Sequence, residues 1–192
     1  MTKKIYYQLE VAGLKRDLPL CPVEEDLYIA AFILFGDVEL TKNCAAALLA
    51  KAPVFDVLLT AEAKGIPLLY EMARQSGHND YIVARKGPKL YMQDVFTTEV
   101  DSITTDHRQI LCIGGQEAAA LRGKRVLLVD DVVSTGESLG AMERLVAQAG
   151  GRVAAKLAVL AEGDAIGRQD LIYLAPLPVF HKDGTPKNDL AV

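Results

Sequence analysis

The chain has 192 residues, of which 51% are hydrophobic, and this length is enough to bury the core of a single domain. Its formal net charge of −4 and pI near 5.4 argue against a protein that wraps nucleic acid, because such a surface must be basic. Any anion that the protein binds must therefore be held by a local cluster of donors.

Cysteine use and hydropathy indicate a cytoplasmic chain. The three cysteines, Cys21, Cys44 and Cys112, are far apart and lack the paired spacing of a zinc or dithiol site, so they are expected to be reduced thiols. The N-terminus has no signal-peptide pattern, and no window approaches the ~18 apolar residues of a membrane span. We expect a soluble protein without membrane or nucleic-acid partners.

Short apolar runs alternate with helical stretches, which is typical of a parallel sheet flanked by helices. The predicted helices cover residues 42–51, 67–76 and 137–149, and the predicted strands cover residues 54–60, 80–85, 109–113, 125–129 and 153–161. Strand 125–129 is apolar on both faces and is therefore expected to be central.

Three segments depart from this alternation within the single domain predicted for residues 1–192. Residues 1–40 and the tail from residue 175 are expected to form a small hood over the carboxyl edge of the sheet, where ligands of parallel sheets bind, around a core at residues 41–174. The polar stretch 86–106 is expected to form a mobile loop or an irregular hairpin, of a length that usually indicates function.

The strongest chemical signal follows the central strand. Asp130 and Asp131 end this apolar run, and residues 134–138, which read Ser-Thr-Gly-Glu-Ser, lead directly into a predicted helix. Consecutive backbone N–H groups and the helix dipole favour an anion there. Gly136 has no β-carbon, so it can adopt a backbone conformation that would strain other residues. Because paired carboxylates suit vicinal hydroxyls, the pattern predicts a ribose phosphate, with a plain helix N-cap as the alternative.

The run from Val126 to Ser138 resembles the phosphoribosyl-pyrophosphate motif of type I phosphoribosyltransferases, although Glu137 and Ser138 stand where many members have Gly and Thr. The resemblance implies a Rossmann-like α/β fold with a central, mostly parallel sheet flanked by helices, a hood and a flexible loop. It also implies transfer of the 5-phosphoribosyl group to a nitrogenous base.

Three further segments resemble the adenine branch of this family in the same order. Residues 62–66 resemble its Glu-Ala-Arg-Gly-Phe turn, with Lys64 where arginine is usual, and residues 85–90 and 175–180 resemble two later segments. The resemblance thus spans residues 33–180, and it implies transfer to a purine, adenine first, in purine salvage.

The resemblance also assigns a substrate site. The predicted phosphoribosyl-pyrophosphate-binding residues are Glu62, Ala63, Lys64, Gly65, Arg85, Lys86, Lys89, Asp130, Asp131, Ser134, Thr135, Gly136, Glu137 and Ser138. The predicted catalytic residues are Asp130, Asp131, Lys89 and Arg85. A second argument does not depend on the family: this acidic chain places basic side chains at the ends of predicted strands, where they could bind the negative charges of pyrophosphate. The alternative is that these are ordinary solvated surface residues. Mg²⁺ is expected as cofactor, held mainly by substrate oxygens and water.

The base site is less completely marked. Residues 33–37 resemble the hood segment whose aromatic ring stacks on adenine, which implies that Phe35 binds the base; a core phenylalanine is the alternative. Leu160 is the candidate for the other face of the base. No loop glutamate falls in register with the adenine enzymes, so the candidates for proton transfer are Glu99, Asp101 and Asp106.

Two alternative functions remain open. Residues 63–67 are reminiscent of orotate enzymes, so orotate, xanthine or guanine could replace adenine as the base. A regulator that only senses phosphoribosyl pyrophosphate would need a DNA-binding segment, and residues 1–40 show neither a helix-turn-helix pattern nor a basic stripe. The family resemblance further implies a homodimer, with Lys64 as a candidate to reach the neighbouring subunit's site.

Overall fold

The computed structural model describes residues 5–100 and 109–187. Its strands are β1 (Tyr6–Val11), β2 (Leu14–Glu24), β3 (Leu27–Ala30), β4 (Val57–Ala61), β5 (Ile82–Ala84), β6 (Phe96–Val100), β7 (Gln109–Ile113), β8 (Arg125–Val133), β9 (Arg152–Glu162) and β10 (Ile172–Leu177). Its helices are α1 (Val38–Leu49), α2 (Ile66–Ser76), α3 (Gly115–Leu121) and α4 (Glu137–Gln148), with a 3-10 turn at Gly163–Ala165. Among these described residues, no helix has the length and apolarity of a membrane span.

A parallel five-stranded sheet in the order β10-β9-β8-β4-β5 forms the centre of the fold. Its middle strand, β8, is apolar on both faces: Leu127 and Val129 are buried in one core, and Val126 and Leu128 in a second core. The sheet, with helices on its faces, confirms the predicted α/β fold and the central position of strand 125–129.

Three elements differ from the sequence-based expectation. Strand β7 pairs antiparallel with β6 and meets β5 only through the backbone bridge between Arg85 and Cys112, because apolar periodicity does not reveal a strand's partner. Helix α3 was not predicted, since it is short and lies between glycines. Strand β10 was not predicted because it contains Pro176, which an edge strand tolerates.

The N-terminal segment forms a separate antiparallel sheet in the order β1-β2-β3, and the tail is attached to it. The backbone N–H of Tyr28 donates to the carbonyl of Phe180 at 2.9 Å, and the N–H of Phe180 donates to the carbonyl of Tyr28 at 2.8 Å. The ring of Phe180 is buried and lies 5.0 Å from that of Tyr7. The N-terminal sheet and the tail are therefore in contact, and the predicted boundary at residue 175 falls inside β10.

Residue Asp37 ties the N-terminal sheet to the core. Its carboxylate caps α1 by accepting from the N–H of Leu40 at 3.0 Å, and it accepts from Nε of Arg16 on β2 at 2.6 Å. Helix α1 consequently starts at Val38, four residues earlier than predicted. The contact fixes the residues just before α1, which include Phe35.

Residues 86–106 are not one continuous loop. Bends, one turn and irregular backbone occupy residues 86–95, and β6 follows and pairs antiparallel with β7. Residues 101–108, including Asp101 and Asp106, lie outside the described residues. The mobility of this segment remains a prediction.

Candidate active site

Three adjacent strands carry the predicted substrate residues to one edge of the sheet. Strands β8, β4 and β5 are neighbours and run parallel, so the segments that follow them emerge on the same side. Residues 62–65 follow β4, residues 85–89 follow β5, and residues 130–138 comprise the last four residues of β8 and the turn after it. The structure thus brings together the predicted ribose-phosphate and pyrophosphate segments.

The two carboxylates at the end of β8 differ in their hydrogen bonding. Asp131 is 5% exposed, and among the described residues its Oδ2 has no hydrogen-bond partner. Asp130 is half-buried, and its Oδ1 accepts from the backbone N–H of Asp131 at 2.9 Å. Burial, followed by the neighbouring Asp131 carboxylate, raises the pKa of Asp130 well above its ordinary value. A ligand with vicinal hydroxyls would supply the donors that these oxygens lack.

The β8–α4 turn, residues 134–138, forms a small anion-sized cradle. Gly136 has φ +83° and caps α4, a backbone conformation that a β-carbon would strain. The turn and Asp130 line a cavity of about 90 Å³. Backbone N–H groups at the start of α4, with the hydroxyls of Ser134, Thr135 and Ser138, make this cavity suitable for a phosphate.

The β4–α2 turn, residues 62–65, is organised by one carboxylate and one glycine. Oε2 of Glu62 accepts from the backbone N–H of Lys86 at 3.1 Å and from Nε of Arg85 at 3.3 Å. These contacts, the bond from Lys86 first, lower the pKa of Glu62. A β-carbon on Gly65 would collide with Oγ1 of Thr60, so glycine lets α2 start close to β4.

The predicted cations are not all alike. Arg85 is shared between Glu62 and the hydroxyl of Tyr91, which lies 3.4 Å from Nη1. Within residues 5–100 and 109–187, the ammonium groups of Lys64, Lys86 and Lys89 form no ion pair. Burial and the Asp131 carboxylate raise the pKa of Asp130, and the charge of Lys64 partly opposes this rise, which places the cation in the field of the carboxylate pair.

The predicted base contacts lie in different environments. Phe35 is 54% exposed, so the alternative of a core phenylalanine is wrong. Leu160 is fully buried among the core side chains, and a base could reach it only if its neighbours moved. Glu99 is exposed on β6, while Asp101 and Asp106 lie outside the described residues.

Two contacts to the site were not predicted from the sequence. Tyr91 meets Arg85, and Arg168 donates to the carbonyl of Thr135 at 3.4 Å. Neither residue belongs to a recognisable motif. The position of Arg168 could nevertheless have indicated a contact with the site. It is a basic residue in the segment that follows β9, and this parallel strand ends at the same edge of the sheet.

Comparisons with known proteins agree with this geometry. The family model of the phosphoribosyl transferase domain matches residues 43–174. The adenine phosphoribosyltransferase of Rhodococcus jostii is 33% identical over 146 residues, covering 75% of this chain and 78% of the relative. The hypoxanthine/guanine phosphoribosyltransferase of Methanosarcina mazei is 34% identical over 109 residues, covering 57% of this chain and 53% of the relative.

Among solved structures, the adenine phosphoribosyltransferase of Thermoanaerobacter pseudethanolicus has the same fold. It superposes with a TM-score of 0.69 at 24% identity and covers 83% of this chain and 95% of its own. The region matched by the family model contains strands β4, β5, β8 and β9, the carboxylate pair and the β8–α4 turn. The chain therefore belongs to the phosphoribosyltransferase family.

Proposed function

We propose that this protein transfers the 5-phosphoribosyl group of phosphoribosyl pyrophosphate to adenine, giving adenosine monophosphate and pyrophosphate. The observation that carries the proposal is the buried Asp131 carboxylate, whose Oδ2 has no hydrogen-bond partner among the described residues, close before the β8–α4 turn. The choice of adenine is supported by relatives that bear the name adenine phosphoribosyltransferase, such as that of Rhodococcus jostii.

The phosphoribosyl part of the substrate fits the end of β8. The 5-phosphate would accept hydrogen bonds from the turn at residues 134–138, and the two ribose hydroxyls would donate to Asp130 and Asp131. Such bonds give Oδ2 of Asp131 the partner that it lacks. They also fix the ribose ring, so that its C1 faces the incoming base in a reactive geometry.

The pyrophosphate would lie between the β4–α2 turn and the residues that follow β5. Lys64, Lys86 and Lys89 supply cations, and Arg85 joins them when it exchanges Glu62 for a phosphate oxygen. In the reaction the bond from C1 to the pyrophosphate oxygen breaks with its electron pair on oxygen. The cations stabilise that developing charge, which is the main requirement of this step.

Magnesium suits this site as a substrate-held ion. Within the described residues, no group of three His, Cys, Asp or Glu side chains could hold a metal. The fit instead depends on the oxygens of the substrate and on water, and the Asp131 carboxylate beside the ribose adds a hard donor of the type that Mg²⁺ prefers. When bound, the ion would neutralise the charge of the pyrophosphate.

The base would stack on Phe35. Leu160 would contact its other face after the side chains that cover Leu160 have moved. Attack on C1 forms a bond to N9 of adenine, which must then lose its proton to a base. Glu99 is the described candidate for this step, and Asp101 and Asp106 remain candidates from the sequence. A homodimer, in which Lys64 reaches the neighbouring site, also remains part of the proposal; sedimentation velocity tests it against the monomer mass of 20.8 kDa.

The proposal is tested by a pyrophosphate-release assay with phosphoribosyl pyrophosphate, Mg²⁺ and a panel of bases. We expect turnover with adenine at the highest kcat/KM. Preference for hypoxanthine or guanine would favour the second candidate, which the Methanosarcina mazei relative supports. Preference for orotate or xanthine would reject both the adenine and the hypoxanthine/guanine assignments. Binding of phosphoribosyl pyrophosphate without turnover of any base would indicate a sensor.

A further inference from the structure

Arg168 lies against the outer side of the β8–α4 turn, in the segment between the 3-10 turn and β10. It is not among the residues that line the cavity inside the turn. Its Nη1 donates to the carbonyl oxygen of Thr135 at 3.4 Å. The guanidinium also packs on Gly136, where a β-carbon would collide with it. Arg168 thus contacts the turn from outside the cavity that is proposed to hold the phosphate.

The guanidinium is held in a fixed plane. Asp170 accepts from Nε at 3.0 Å and from Nη2 at 2.9 Å, a two-point contact that leaves Nη1 directed at Thr135. Asp170 is itself held by Nζ of Lys156 at 2.8 Å, and the same ammonium lies 2.9 Å from Glu143 on α4. The network therefore joins β9 and α4 to the turn.

The contact with Thr135 sets the direction of a phosphate-binding donor. In a trans peptide the C=O and the following N–H point in opposite directions. Because the carbonyl of Thr135 is directed to Arg168, which does not line the cavity, the N–H of Gly136 in the same peptide unit is directed away from Arg168. Gly136 has φ +83°, so without this contact the turn has other backbone conformations open to it.

We infer that Arg168 is a positioning residue for the proposed reaction: through the carbonyl of Thr135 it holds the turn in the conformation that binds the 5-phosphate. Asp170 acts one step farther out by orienting the guanidinium. The charges of Arg168 and Lys156 are balanced by Asp170 and Glu143, so the effect is one of orientation rather than of long-range attraction. The inference rests on the proposed function, because it requires a phosphate in the turn.

The test compares Arg168→Gln with wild type by isothermal titration calorimetry, using ribose 5-phosphate and inorganic pyrophosphate as separate probes. Loss of the charge-assisted bond should weaken ribose 5-phosphate binding by about tenfold while pyrophosphate binding stays unchanged. In the transferase assay KM for phosphoribosyl pyrophosphate should rise with little change in kcat, since the 5-phosphate is bound equally in the ground and transition states.

Arg125→Gln is the matched control. Arg125 makes the same two-point contact, with Asp56, through Nε at 2.9 Å and Nη2 at 2.7 Å, but it lies at the opposite end of β8. This variant should lower thermal stability without altering either affinity. If Arg168→Gln behaves like Arg125→Gln, Arg168 is merely structural and the inference is wrong.

Asp170→Asn keeps the test available if Arg168→Gln does not fold. It leaves the turn and the guanidinium intact but weakens the anchor, so ribose 5-phosphate binding should fall about threefold. Where Arg168→Gln does fold, adding Asp170→Asn to it should not weaken ribose 5-phosphate binding further. Full additivity would overturn the proposed chain of contacts. Failure of the wild type to bind ribose 5-phosphate would instead reject the proposed function itself.

Discussion

Phe35 is an aromatic side chain that remains 54% exposed at the end of the N-terminal sheet. Core packing does not account for its position, and stacking on a base would. We predict that Phe35→Ala raises KM for adenine by about tenfold, the usual effect of losing one base–aromatic stack, and leaves KM for phosphoribosyl pyrophosphate unchanged. Steady-state kinetics with each substrate varied in turn would measure both.

The control for Phe35 is Val38→Ala, which removes an apolar side chain that is 69% exposed three residues away. It should leave both KM values unchanged. Equal effects of the two substitutions would mean that the segment, and not the ring, matters for the base.

The cost of keeping Asp130 ionised gives a prediction about stability. The pKa of Asp130 is raised in the folded protein, so the folded state holds this proton more tightly than the unfolded state does. The protonated carboxyl therefore stabilises the folded state at low pH, and this contribution is lost as the pH rises through the raised pKa. We predict that Asp130→Asn raises Tm at pH 8, by about 2–4 °C for each kcal/mol gained. The gain should shrink as the pH falls below the raised pKa of Asp130 in the folded protein.

Differential scanning calorimetry of the ligand-free proteins across this pH range checks the prediction. Asp183→Asn is a suitable comparison, because contacts with Thr185 lower the pKa of this exposed carboxylate. Its effect on Tm should have the opposite sign at pH 8. A Tm for Asp130→Asn that is lower than wild type at every pH would show that the carboxylate pair is not strained.

At the scale of elements, Asp37 couples the start of α1 to the N-terminal sheet. Asp37→Ala removes both the helix cap and the ion pair with Arg16, whereas Asp37→Asn keeps a side-chain acceptor for the N–H of Leu40. We predict that Asp37→Ala lowers the free energy of unfolding by about 1–2 kcal/mol and Asp37→Asn by less. Urea titrations of both variants would measure the difference, and equal losses would show that the cap contributes nothing.

The elements that the sequence predicted correctly are those with a strong local pattern. Strand β8 has an unbroken apolar run, and α2 ends at Gly77, which adopts the left-handed conformation expected of a helix C-cap. The pairing of β7 with β6 could not be predicted, because it depends on contacts between segments. Helix α3, with seven residues, is too short to show a periodic pattern.

At the scale of the whole molecule, the sequence motifs could be identified from their residues alone, and the fold brings them to one edge of the sheet because they lie at or after the ends of adjacent parallel strands. Their mutual contacts were not predictable. The bond from Lys86 to Glu62 and the contact of Arg168 with Thr135 join residues 24 and 33 positions apart in the chain. Only the folded arrangement shows that Glu62 organises the cation segment and does not stand free.

The central claim is that the end of β8 binds phosphoribosyl pyrophosphate, and calorimetric titration of this compound with Mg²⁺ tests it most directly. We expect wild type to bind one equivalent per chain. Replacing both carboxylates, Asp130→Asn with Asp131→Asn, should weaken binding by about 100-fold, since two charge-assisted hydrogen bonds are lost. Unchanged affinity in the double variant would contradict the assignment of the ribose to this site.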